Sequence, residues 1–335
     1  MEILSIVTNI SIYGGAEKVM LDLHRGLGRQ FSTKILCLQP LKGVHPKYGL
    51  SPSELLRLRN PWQLNNKILL VHSRNLIPFF VLLKKLFFLN VRIIYISHNV
   101  YSTFKNFTYF PKEVVSISHK VTANLQNYFR LKSAGITLIP NGMEDLGTDR
   151  LNYTYQTNGK IRILYPARVN GVKRQLALVA ALQEQALAKN IEIHFAGIGE
   201  DYEALKRSCD YEQFKPLGFV ENMPELIQQY DYLMLFSVQE GLPLSLIEGA
   251  MHGKPLLVND VGGNLEIGLP NENALILVDD LSSIGAQLNA LNEISEAAYQ
   301  RMAKRSRAIY KEKFGYERMI TQYTDLILQN RVSDL

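Results

Sequence analysis

Short apolar runs alternate with longer amphipathic stretches along most of the chain. Most of these runs are nearly continuous Val, Ile and Leu, which is typical of parallel strands covered on both faces. Twelve runs have this character: residues 3–9, 33–39, 67–73, 91–97, 114–119, 136–141, 162–168, 191–197, 214–220, 232–238, 255–260 and 274–280. Between them, apolar positions recur at helical spacing, as at Val19, Leu23 and Leu27. The pattern predicts an α/β protein with doubly wound parallel sheets.

Twelve strands are many for one open sheet, so two domains are the simpler interpretation. We expect the break within residues 150–160, a polar stretch without helical period. One domain is therefore predicted over residues 1–155 and a second over 156–315. A C-terminal helix is predicted over 296–329, and its length would allow residues 316–335 to return to the first domain.

Cysteine content and apolar run lengths indicate the cellular compartment of the protein. The 335 residues include two cysteines, Cys37 and Cys209, which is too few for a disulfide framework and is typical of a reducing compartment. The first ten residues lack the features of a signal peptide, and no apolar run reaches the ~20 residues that cross a bilayer. We therefore expect a cytoplasmic protein without a transmembrane segment.

The net charge of +6 is unevenly distributed. Residues 1–155 carry 19 Lys and Arg against 8 Asp and Glu, a net charge of +11, whereas the remaining residues carry 18 against 23, a net charge of −5. The asymmetry indicates that the first half faces something anionic. A nucleic acid, a phospholipid surface and a phosphorylated substrate each remain open on charge alone.

Ligands of parallel α/β sheets bind at the carboxyl ends of the strands, so residues there are the first candidates for a site. Gly14 and Gly15 lie between the first strand and its helix. Two glycines let the backbone approach a ligand, and the helix start offers free N–H groups to an anion. The alternative is a tight turn with no ligand. The segment is not GxGxxG, so a dinucleotide fingerprint is not supported.

Histidines end two of the predicted strands. His98 follows Ile96-Ser97, where an imidazole can donate to a hydroxyl or stabilise developing negative charge. A buried structural histidine is an equally good interpretation. His72 ends the preceding strand and His119 follows another, but the sequence assigns neither a role.

Two charged segments follow strands of the second domain. Arg168 and Lys173 bracket a glycine-containing loop that can hold a diphosphate as its charge grows, although a solvated charge run is the alternative. Further on, EGLPLSLIEGA (residues 240–250) places Glu240 before a helix and Glu248 on its second turn.

Within that second segment, Pro243 is expected to be the first helical residue. The N–H groups of Leu244 and Ser245 would then point out of the helix start. The two glutamates would then face different parts of one extended ligand. The alternative is that both lie on a solvent-exposed helix surface without a ligand.

Several motifs are absent from the sequence. There is no DxD triplet and no His/Cys cluster with zinc spacing, so we expect no metal site and no cofactor. The sequence also lacks a P-loop and a GxSxG elbow, which argues against an NTPase and a serine hydrolase.

Taken together, these segments resemble the retaining glycosyltransferases of family 4, which have the GT-B fold. The Glu240-to-Glu248 segment is the most specific part of the resemblance. The other matching pieces, in the family's order, are Gly14-Gly15-Ala16-Glu17, Ser97-His98-Asn99, Ile139-Pro140-Asn141-Gly142, Arg168 with Lys173, Gly197-Ile198-Gly199 and Val261-Gly262-Gly263. One departure is Ala167, where the family usually has glycine before the arginine.

The resemblance implies two Rossmann-like domains that face a central cleft. A nucleotide-diphosphate sugar, most simply a UDP-sugar, would bind mainly to the C-terminal domain, and the acceptor to the N-terminal one. The sugar would be transferred with its anomeric configuration kept, and the departing phosphate would help to deprotonate the acceptor. The site would then act by positioning and by stabilising charge.

The resemblance also implies roles for single residues. Arg168 and Lys173 would neutralise the leaving diphosphate without a metal. Glu248 would hold the ribose hydroxyls, Glu240 would face the transferred sugar and His98 would bond one of its hydroxyls. The remaining donor contacts would come from Gly14, Gly15, Asn141, Gly197, Phe219, Val220, Leu242, Pro243, Leu244 and Ser245, with the nucleobase near Phe219 and Val220.

The acceptor is less well marked. Residues 101–110 crowd five aromatic side chains after the His98 strand, so Tyr101, Phe104 and Lys105 are the candidate acceptor contacts. Residues 76–89 are apolar around most of a helix, and the simpler interpretation is a helix buried against the sheet. The alternative is insertion into an anionic monolayer. Together with the charge of the first half, these segments favour a lipid-linked glycan or lipopolysaccharide core as the acceptor, and a peripheral position at the inner face of the cytoplasmic membrane.

Two other functions remain open. A non-catalytic subunit that binds a nucleotide sugar would not need Arg168, Lys173, Glu240 and Glu248, which are all present. A GT-B sugar-nucleotide epimerase would need further carboxylates or histidines that the sequence does not supply. Nucleic-acid binding lacks any known module.

Overall fold

The chain folds into two compact α/β units. The structure is a computed structural model that describes residues 1–11, 14–38, 44–105, 108–146, 155, 157–210 and 212–329. Unit 1 contains Met1–Asn141 and the last helix of the chain, and unit 2 is Gly142–Gly315. The division thus falls at Asn141, before the residue 155 that we expected, and the expected break over residues 150–160 lies mostly outside the described residues.

Unit 1 is built on a parallel seven-stranded sheet in the order β3-β2-β1-β4-β5-β6-β7. Its strands and helices are β1 (Glu2–Ile6), α1 (Gly15–Leu27), β2 (Ser32–Cys37), β3 (Leu55–Arg57), β4 (Lys67–Val71), α2 (Ile77–Leu86), β5 (Val91–Ser97), β6 (Glu113–Ser116), α3 (His119–Asn127) and β7 (Ile136–Leu138). β1 and β4 are buried along most of their length, which explains their continuous apolar sequences.

Unit 2 repeats this architecture with a parallel six-stranded sheet in the order β10-β9-β8-β11-β12-β13. Its elements are β8 (Ile161–Pro166), α4 (Gln175–Gln183), β9 (Ile191–Ala196), α5 (Tyr202–Ser208), β10 (Phe214–Gly218), α6 (Met223–Gln228), β11 (Tyr232–Leu235), α7 (Leu244–Met251), β12 (Leu256–Val258), α8 (Asn264–Ile267), β13 (Ala274–Ile276), α9 (Ile284–Asn289) and α10 (Glu296–Lys313). In both sheets the strand order reverses beside the first strand of the unit, the point where such folds bind ligands.

The predicted C-terminal helix is two helices. α10 ends at Lys313, and α11 (Tyr316–Gln329) begins after Phe314-Gly315. α11 packs on α1 within unit 1, where the Tyr316 hydroxyl donates to the carbonyl of Asp22 at 2.9 Å. The sequence prediction of one continuous helix was therefore wrong, because the backbone leaves helical geometry at the Phe314-Gly315 pair.

Two further expectations for unit 1 need correction. The sequence did not predict β3, a three-residue edge strand. Helix α2 is shorter than the segment 76–89 and is not buried as the simpler interpretation held: Ile77 and Phe80 are fully buried, whereas Leu82 and Leu86 are more than half exposed. Among the described residues, no helix is long and apolar enough to cross a membrane.

Candidate functional site

The loop that follows β8 is fixed to the end of β11 by a buried tyrosine. The Tyr165 hydroxyl donates to the carbonyl of Lys173 at 2.5 Å and accepts from the N–H of Phe236 at 2.9 Å. A third bond joins the same segments, from the N–H of Val238 to the carbonyl of Val172 at 2.8 Å. Burial raises the pKa of Tyr165, so its hydroxyl stays protonated and can donate. The loop that carries both predicted cations is therefore anchored at its far end.

Lys173 and Glu240 form an ion pair at the carboxyl ends of β8 and β11. The ammonium of Lys173 bonds the Glu240 carboxylate, whose side chain is 8% exposed while that of Lys173 is 21% exposed. The backbone of Lys173 is held in turn by Asn170, whose carbonyl and side-chain oxygen both accept from the Lys173 N–H. A buried carboxylate needs such a partner, because an unpaired buried charge is strongly destabilising.

Arg168 lies on the same loop but in different surroundings from Lys173. Its side chain is exposed, and no hydrogen bond from the guanidinium to another described residue is found. Its backbone, by contrast, is held: the side-chain amide of Gln175, which is buried, donates to the Arg168 carbonyl at 3.0 Å. This role of Gln175 could not be predicted, because a lone glutamine at a helix start has no distinctive pattern.

The loops after β8 and β9 touch through their backbones at two glycines. A β-carbon at Gly197, where φ is +147°, would lie 2.1 Å from the carbonyl oxygen of Ala167. One at Gly199 would lie 2.2 Å from the carbonyl oxygen of Val169. Such contacts exclude any side chain, so both positions require glycine. Ala167, the departure from the family pattern, contributes its carbonyl to this contact.

The segment that carries Glu240 is supported in the same way by the loop after β12. A β-carbon at Gly262, where φ is +54°, would lie 2.2 Å from the carbonyl oxygen of Glu240. The N–H of Gly263 donates to the carbonyl of Gly241 at 2.8 Å. The Val261-Gly262-Gly263 segment therefore fixes the position of the Glu240 backbone.

Helix α7 begins directly after this segment. Pro243 has a ψ of 123° and is the N-cap, so the helix starts at Leu244. The expectation that Pro243 would be the first helical residue was therefore wrong by one position. No side chain caps the start of α7. Leu244 and Ser245 lie in its first turn, and Leu242, two residues before the helix, is buried. Backbone N–H groups at such a helix start attract anions.

The remaining predicted donor contacts of unit 2 also lie beyond strand ends. Glu248 is half-buried on α7, one turn after its start. Phe219 follows β10 and is 56% exposed, and Val220 beside it is half-buried. An exposed ring next to a strand end offers a stacking surface for a planar base.

Unit 1 brings together the two histidines that end β4 and β5. The Nδ1 of His72 and the Nε2 of His98 lie 2.9 Å apart, and the rings stack with centroids 5.1 Å apart. Burial lowers the pKa of His98 to about 4, and it lowers the pKa of His72 as well, with the neighbouring His98 as a second cause. Both imidazoles are therefore neutral near pH 7.

The pairing indicates which nitrogens carry hydrogen. The Nε2 of His72 is buried and has no hydrogen-bond partner among the described residues. A buried lone pair is tolerated better than a buried N–H without an acceptor. We therefore assign the hydrogen of His72 to Nδ1, from which it is donated to His98, so that His98 carries its own hydrogen on Nδ1. The sequence placed both histidines at strand ends, but their pairing depends on β4 and β5 being neighbours.

The other predicted residues of unit 1 have different surroundings. Gly14 caps α1, and its N–H donates to the Glu17 carboxylate at 3.1 Å; Gly15 is the exposed first residue of the helix. Glu17 of this segment thus supports the helix start, where a negative charge is favourable. Asn141 is buried after β7.

The candidate acceptor segment surrounds an arginine that the sequence did not single out. The guanidinium of Arg74 lies 4.0 Å from the ring centroid of Tyr101 and 6.0 Å from that of Phe104. Tyr101 is half-buried, whereas Phe104 is 68% exposed and Lys105 is exposed, its ammonium 5.4 Å from the Tyr128 ring. Residues 106 and 107 lie outside the described residues. Phe104 and Lys105 are accessible to a ligand.

Two family models match the chain. The model described as "Glycosyltransferase Family 4" matches residues 13–145, and the one described as "Glycosyl transferases group 1" matches residues 160–293. The chain belongs to glycosyltransferase family 4. The recognised resemblance is thus confirmed over both units.

Curated relatives of this family 4 protein match about half of its length. It is 30% identical over 168 residues to the O-antigen biosynthesis glycosyltransferase WbnH of Escherichia coli. The matched region covers 50% of this chain and 46% of WbnH. It is also 30% identical over 142 residues to the putative glycosyltransferase EpsD of Bacillus subtilis (strain 168), with 38% and 35% covered. The matches therefore span about half the length of these relatives or less.

Solved structures match nearly the whole fold. Anabaena Alr3699/HepE in complex with UDP and glucose superposes with a TM-score of 0.79 at 16% identity, covering 98% of this chain and 99% of HepE. The lipopolysaccharide outer core galactosyltransferase WaaB gives a TM-score of 0.74 at 13% identity, covering 98% and 100%. These similarities, with the two parallel α/β sheets, confirm the expected GT-B fold.

Proposed function

We propose that this family 4 protein is a metal-independent retaining glycosyltransferase that uses a nucleotide-diphosphate sugar, most simply a UDP-sugar. The observation that carries the proposal is the Lys173–Glu240 pair at the switch point of the unit 2 sheet. On the same loop lies the exposed guanidinium of Arg168, which has no hydrogen-bond partner among the described residues. The complex of HepE with UDP and glucose supports the choice of donor. Relatives in O-antigen synthesis support an acceptor in bacterial surface polysaccharide or lipopolysaccharide synthesis.

The leaving group sets the electrostatic task. When the bond between the anomeric carbon and the phosphate oxygen breaks, negative charge develops on the diphosphate. Arg168, Lys173 and the first turn of α7 stabilise that charge, and the loop that carries the two cations is held through its backbone, which limits the reorganisation needed. A divalent metal is not required in this scheme, because the same charge is offset by two cationic side chains and a helix start.

The acceptor hydroxyl attacks the anomeric carbon on the side from which the diphosphate departs. Its proton passes to the departing phosphate oxygen, and the anomeric configuration is kept. Glu240 faces the transferred sugar, and Glu248 holds the ribose hydroxyls of the donor. The nucleobase lies against Phe219 and Val220. These residues position the donor, and the chemistry rests on the charge of the leaving group.

The neutral His98 serves a different purpose. An imidazole with a hydrogen on Nδ1 donates to a sugar hydroxyl without bringing a positive charge to it. We propose a glycan or lipid-linked glycan as the acceptor, in contact with Phe104 and Lys105 and beside Tyr101. The protein would work in the cytoplasm, attached to the inner face of the cytoplasmic membrane.

Nucleotide release tests the proposal. A panel of sugar nucleotides is incubated with the protein and candidate acceptors, with and without EDTA. We expect UDP release that EDTA does not change and that Lys173→Ala slows about 10²–10³-fold. Lys189→Ala, which removes an exposed lysine elsewhere in unit 2, is the matched control and keeps full activity.

Three outcomes would contradict the proposal. Activity lost in EDTA and restored by a divalent metal would remove metal independence. Conversion of the sugar nucleotide itself, without transfer, would favour an epimerase. Nucleotide-sugar binding without turnover on any acceptor would favour a non-catalytic subunit.

A further inference from the structure

A second group of ionisable residues lies on the sheet of unit 2, towards the amino ends of its strands. Arg162 is the second residue of β8, Glu192 the second of β9 and Lys215 the second of β10. In the register of the sheet, Arg162 is the partner of Glu192, and Lys215 is the partner of His194. Since residues two apart in a strand point to the same face, all four side chains share one face of the sheet. Parallel strands covered on both faces are ordinarily apolar there.

These four side chains line a pocket of about 200 Å³. Lys160, before β8, and Gln229 and Tyr230, after α6, complete its lining. Arg168 of the candidate donor site follows Arg162 by six residues, which is about 20 Å of extended chain. The pocket therefore lies at the opposite end of β8 from the candidate site and shares no residue with it.

Positive charge exceeds negative charge in this pocket. Three lining side chains are cationic, and one, Glu192, is anionic. Asp231 is buried nearby, and its carboxylate accepts from the N–H of Arg162 at 2.7 Å. Asp210 and Glu212 before β10 are exposed, and the described lining includes none of these three acidic residues. Even with Asp231 counted, three cations face two carboxylates, so an anion would neutralise a surplus.

Arg162 and Lys215 keep hydrogen-bond donors available. No hydrogen bond from the Arg162 guanidinium to another described residue is found, whereas its main-chain N–H and carbonyl both bond Asp231. The Lys215 ammonium lies 3.6 Å from Oε2 of Glu192, beyond hydrogen-bond distance. A guanidinium and an ammonium form charge-assisted hydrogen bonds with phosphate oxygens.

Glu192 adds an acceptor to the wall of the same pocket. Its side chain is 5% exposed, and its Oε1 bonds the Lys160 ammonium. Burial opposes ionisation of Glu192, but the bond from Lys160 and the charge of Lys215 outweigh it and lower the pKa of the carboxyl. The carboxylate is therefore ionised at neutral pH and can only accept hydrogen bonds.

His194 contributes no charge to the pocket. Burial lowers its pKa to about 4, with the charge of Lys215 as the second cause. Its Nδ1 lies 2.6 Å from the Tyr230 hydroxyl, which burial keeps protonated by raising the pKa of that phenol. We assign this bond as donated by Tyr230, so that the hydrogen of His194 is on Nε2, 3.4 Å from Oε2 of Glu192. The charge that a ligand meets is thus set by the three cations and Glu192.

We propose that this pocket binds inorganic phosphate and that Glu192 selects phosphate over sulfate. Phosphate oxygens accept from Arg162 and Lys215, and the P–OH that phosphate retains near pH 7 donates to the Glu192 carboxylate. Sulfate has the same shape but no hydrogen at this pH, so its oxygens would face the carboxylate oxygens with nothing to donate. The proposal does not rest on sugar transfer, since the two sites have no residue in common.

Isothermal titration calorimetry tests the proposal on the full chain. Sodium phosphate and sodium sulfate are titrated separately at pH 7 in MOPS buffer of constant ionic strength. We expect phosphate to bind and sulfate to bind at least about tenfold more weakly, because a site built to receive a hydrogen rejects an analogue that lacks it. No phosphate binding, or equal affinity for the two anions, would overturn the proposal.

The double variant Arg162→Gln/Lys215→Gln removes both donors and leaves the Lys160–Glu192 pair in place. Phosphate affinity should fall at least about tenfold. Without phosphate, the Tm of this variant should be unchanged or higher, because like charges have been removed. Saturating phosphate should raise the Tm of the unchanged chain by at least about 2 °C and should not raise that of the variant. A Tm that falls in the variant and does not respond to phosphate in the unchanged chain would show a purely structural ion cluster.

Glu192→Gln tests the selectivity separately. It keeps the shape of the side chain and removes the repulsion, so sulfate affinity should rise at least about tenfold and approach that of phosphate. Thermal melting checks that the variant is folded, and the double variant gives a result that does not depend on it. Unchanged rejection of sulfate in folded Glu192→Gln would contradict the role of this carboxylate.

Two controls locate the bound anion. Lys304→Gln/Arg318→Gln removes the same two charges from exposed positions on α10 and α11, and it should bind phosphate like the unchanged chain. Arg168→Ala alters the candidate donor site and should also leave phosphate binding unchanged. Phosphate binding that Arg168→Ala removes and Arg162→Gln/Lys215→Gln preserves would place the anion in the donor site and overturn the proposal. Nucleotide release tests sugar transfer independently, so either proposal can fail alone.

Discussion

The two units share one architecture, but the carboxyl ends of their sheets carry opposite chemistry. In unit 2 the strand ends carry charge: Lys173 is paired with the buried Glu240, and Arg168 is unpaired among the described residues. In unit 1 the corresponding ends carry His72 and His98, which burial keeps neutral. Unit 2 is suited to a group whose charge changes, and unit 1 to a neutral group recognised by hydrogen bonds.

The means of support differ as well. The loops of unit 2 are braced by main-chain contacts at Gly197, Gly199 and Gly262, where no β-carbon fits. In unit 1 one side chain orients another, since His72 bonds His98 directly. Charge stabilisation depends on fixed positions, which glycine-lined backbone provides. Hydrogen bonding to a hydroxyl depends on the correct tautomer, which the second imidazole provides.

The largest effect is expected at the charged pair. Lys173→Ala should lower kcat/KM about 10²–10³-fold, as for the loss of one preorganised charge-stabilising group. It should also destabilise unit 2 by about 2 kcal/mol, because Glu240 stays buried without its partner. Nucleotide-release kinetics and urea denaturation measure the two losses. The double variant Lys173→Ala/Glu240→Gln should recover most of the stability and none of the rate; recovery of both would show that the pair is structural.

Arg168→Ala should lower the rate of transfer with almost no loss of stability, unlike Lys173→Ala. Its guanidinium is exposed and has no partner among the described residues, so the free energy of unfolding should change by less than about 0.5 kcal/mol. The rate should fall by about 10–100-fold, and much more than donor binding, because the stabilised charge grows in the transition state. Single-turnover rates and donor Kd values provide the comparison. Equal losses in rate and binding would contradict the proposed role.

A smaller effect is expected from the backbone that supports Glu240. Gly262→Ala adds a β-carbon at positive φ against the Glu240 carbonyl, so it should cost about 1–3 kcal/mol and lower the rate roughly tenfold. Gly171→Ala is the matched control, because a β-carbon there meets nothing within 4 Å. The control should leave stability unchanged or raise it by about 0.5 kcal/mol. Equal losses in the two variants would show that the contact at Gly262 is unimportant.

The smallest effect concerns the neutral histidines. Since burial lowers the pKa of His98 to about 4, its charge does not change between pH 6 and 8, and titration of His98 should alter the rate less than about twofold over that range. A steep dependence that His98→Asn removes would contradict a neutral role.

Stability should respond to acid instead. An unfolded histidine binds a proton below about pH 6.5, whereas folded His98 does so only near 4. The free energy of unfolding should therefore fall as pH drops from 6.5 towards 4, by up to about 1.4 kcal/mol per pH unit for this group. Denaturation at pH 7, 6 and 5 measures the slope, which His98→Asn should reduce. An unchanged slope in that variant would show that His98 is not shielded from solvent.

Elements that lie within a continuous apolar or helical pattern could be predicted from the sequence, and those with an interrupted pattern could not. All twelve apolar runs contain strands, because burial on both faces leaves a continuous apolar pattern. β3 was missed because its two leucines, Leu55 and Leu56, lie between Glu54 and Arg57, which leaves no continuous apolar run. The break at Phe314-Gly315 had a visible signal in its glycine, which the helical periodicity on both sides outweighed.

For the candidate site, the sequence could place residues at strand ends but could not pair them. The bond between His72 and His98 requires β4 and β5 to be neighbours, and the pairing of Lys173 with Glu240 requires β8 beside β11. Each pair joins residues far apart in the chain. The exposed face of α2 was hidden for another reason: apolar residues around a whole helix ordinarily indicate burial, and only the coordinates show which side lacks a neighbour.

The backbone-to-backbone contact between the loops after β8 and β9 has a practical consequence for redesign. Because Gly197 and Gly199 meet main-chain atoms of Ala167 and Val169, the local shape does not depend on which side chains surround it. A mutant library aimed at a different donor can therefore randomise Phe219 and Val220 while it leaves these glycines untouched. Screening then concentrates on positions that alter donor preference, and fewer variants are lost because they misfold.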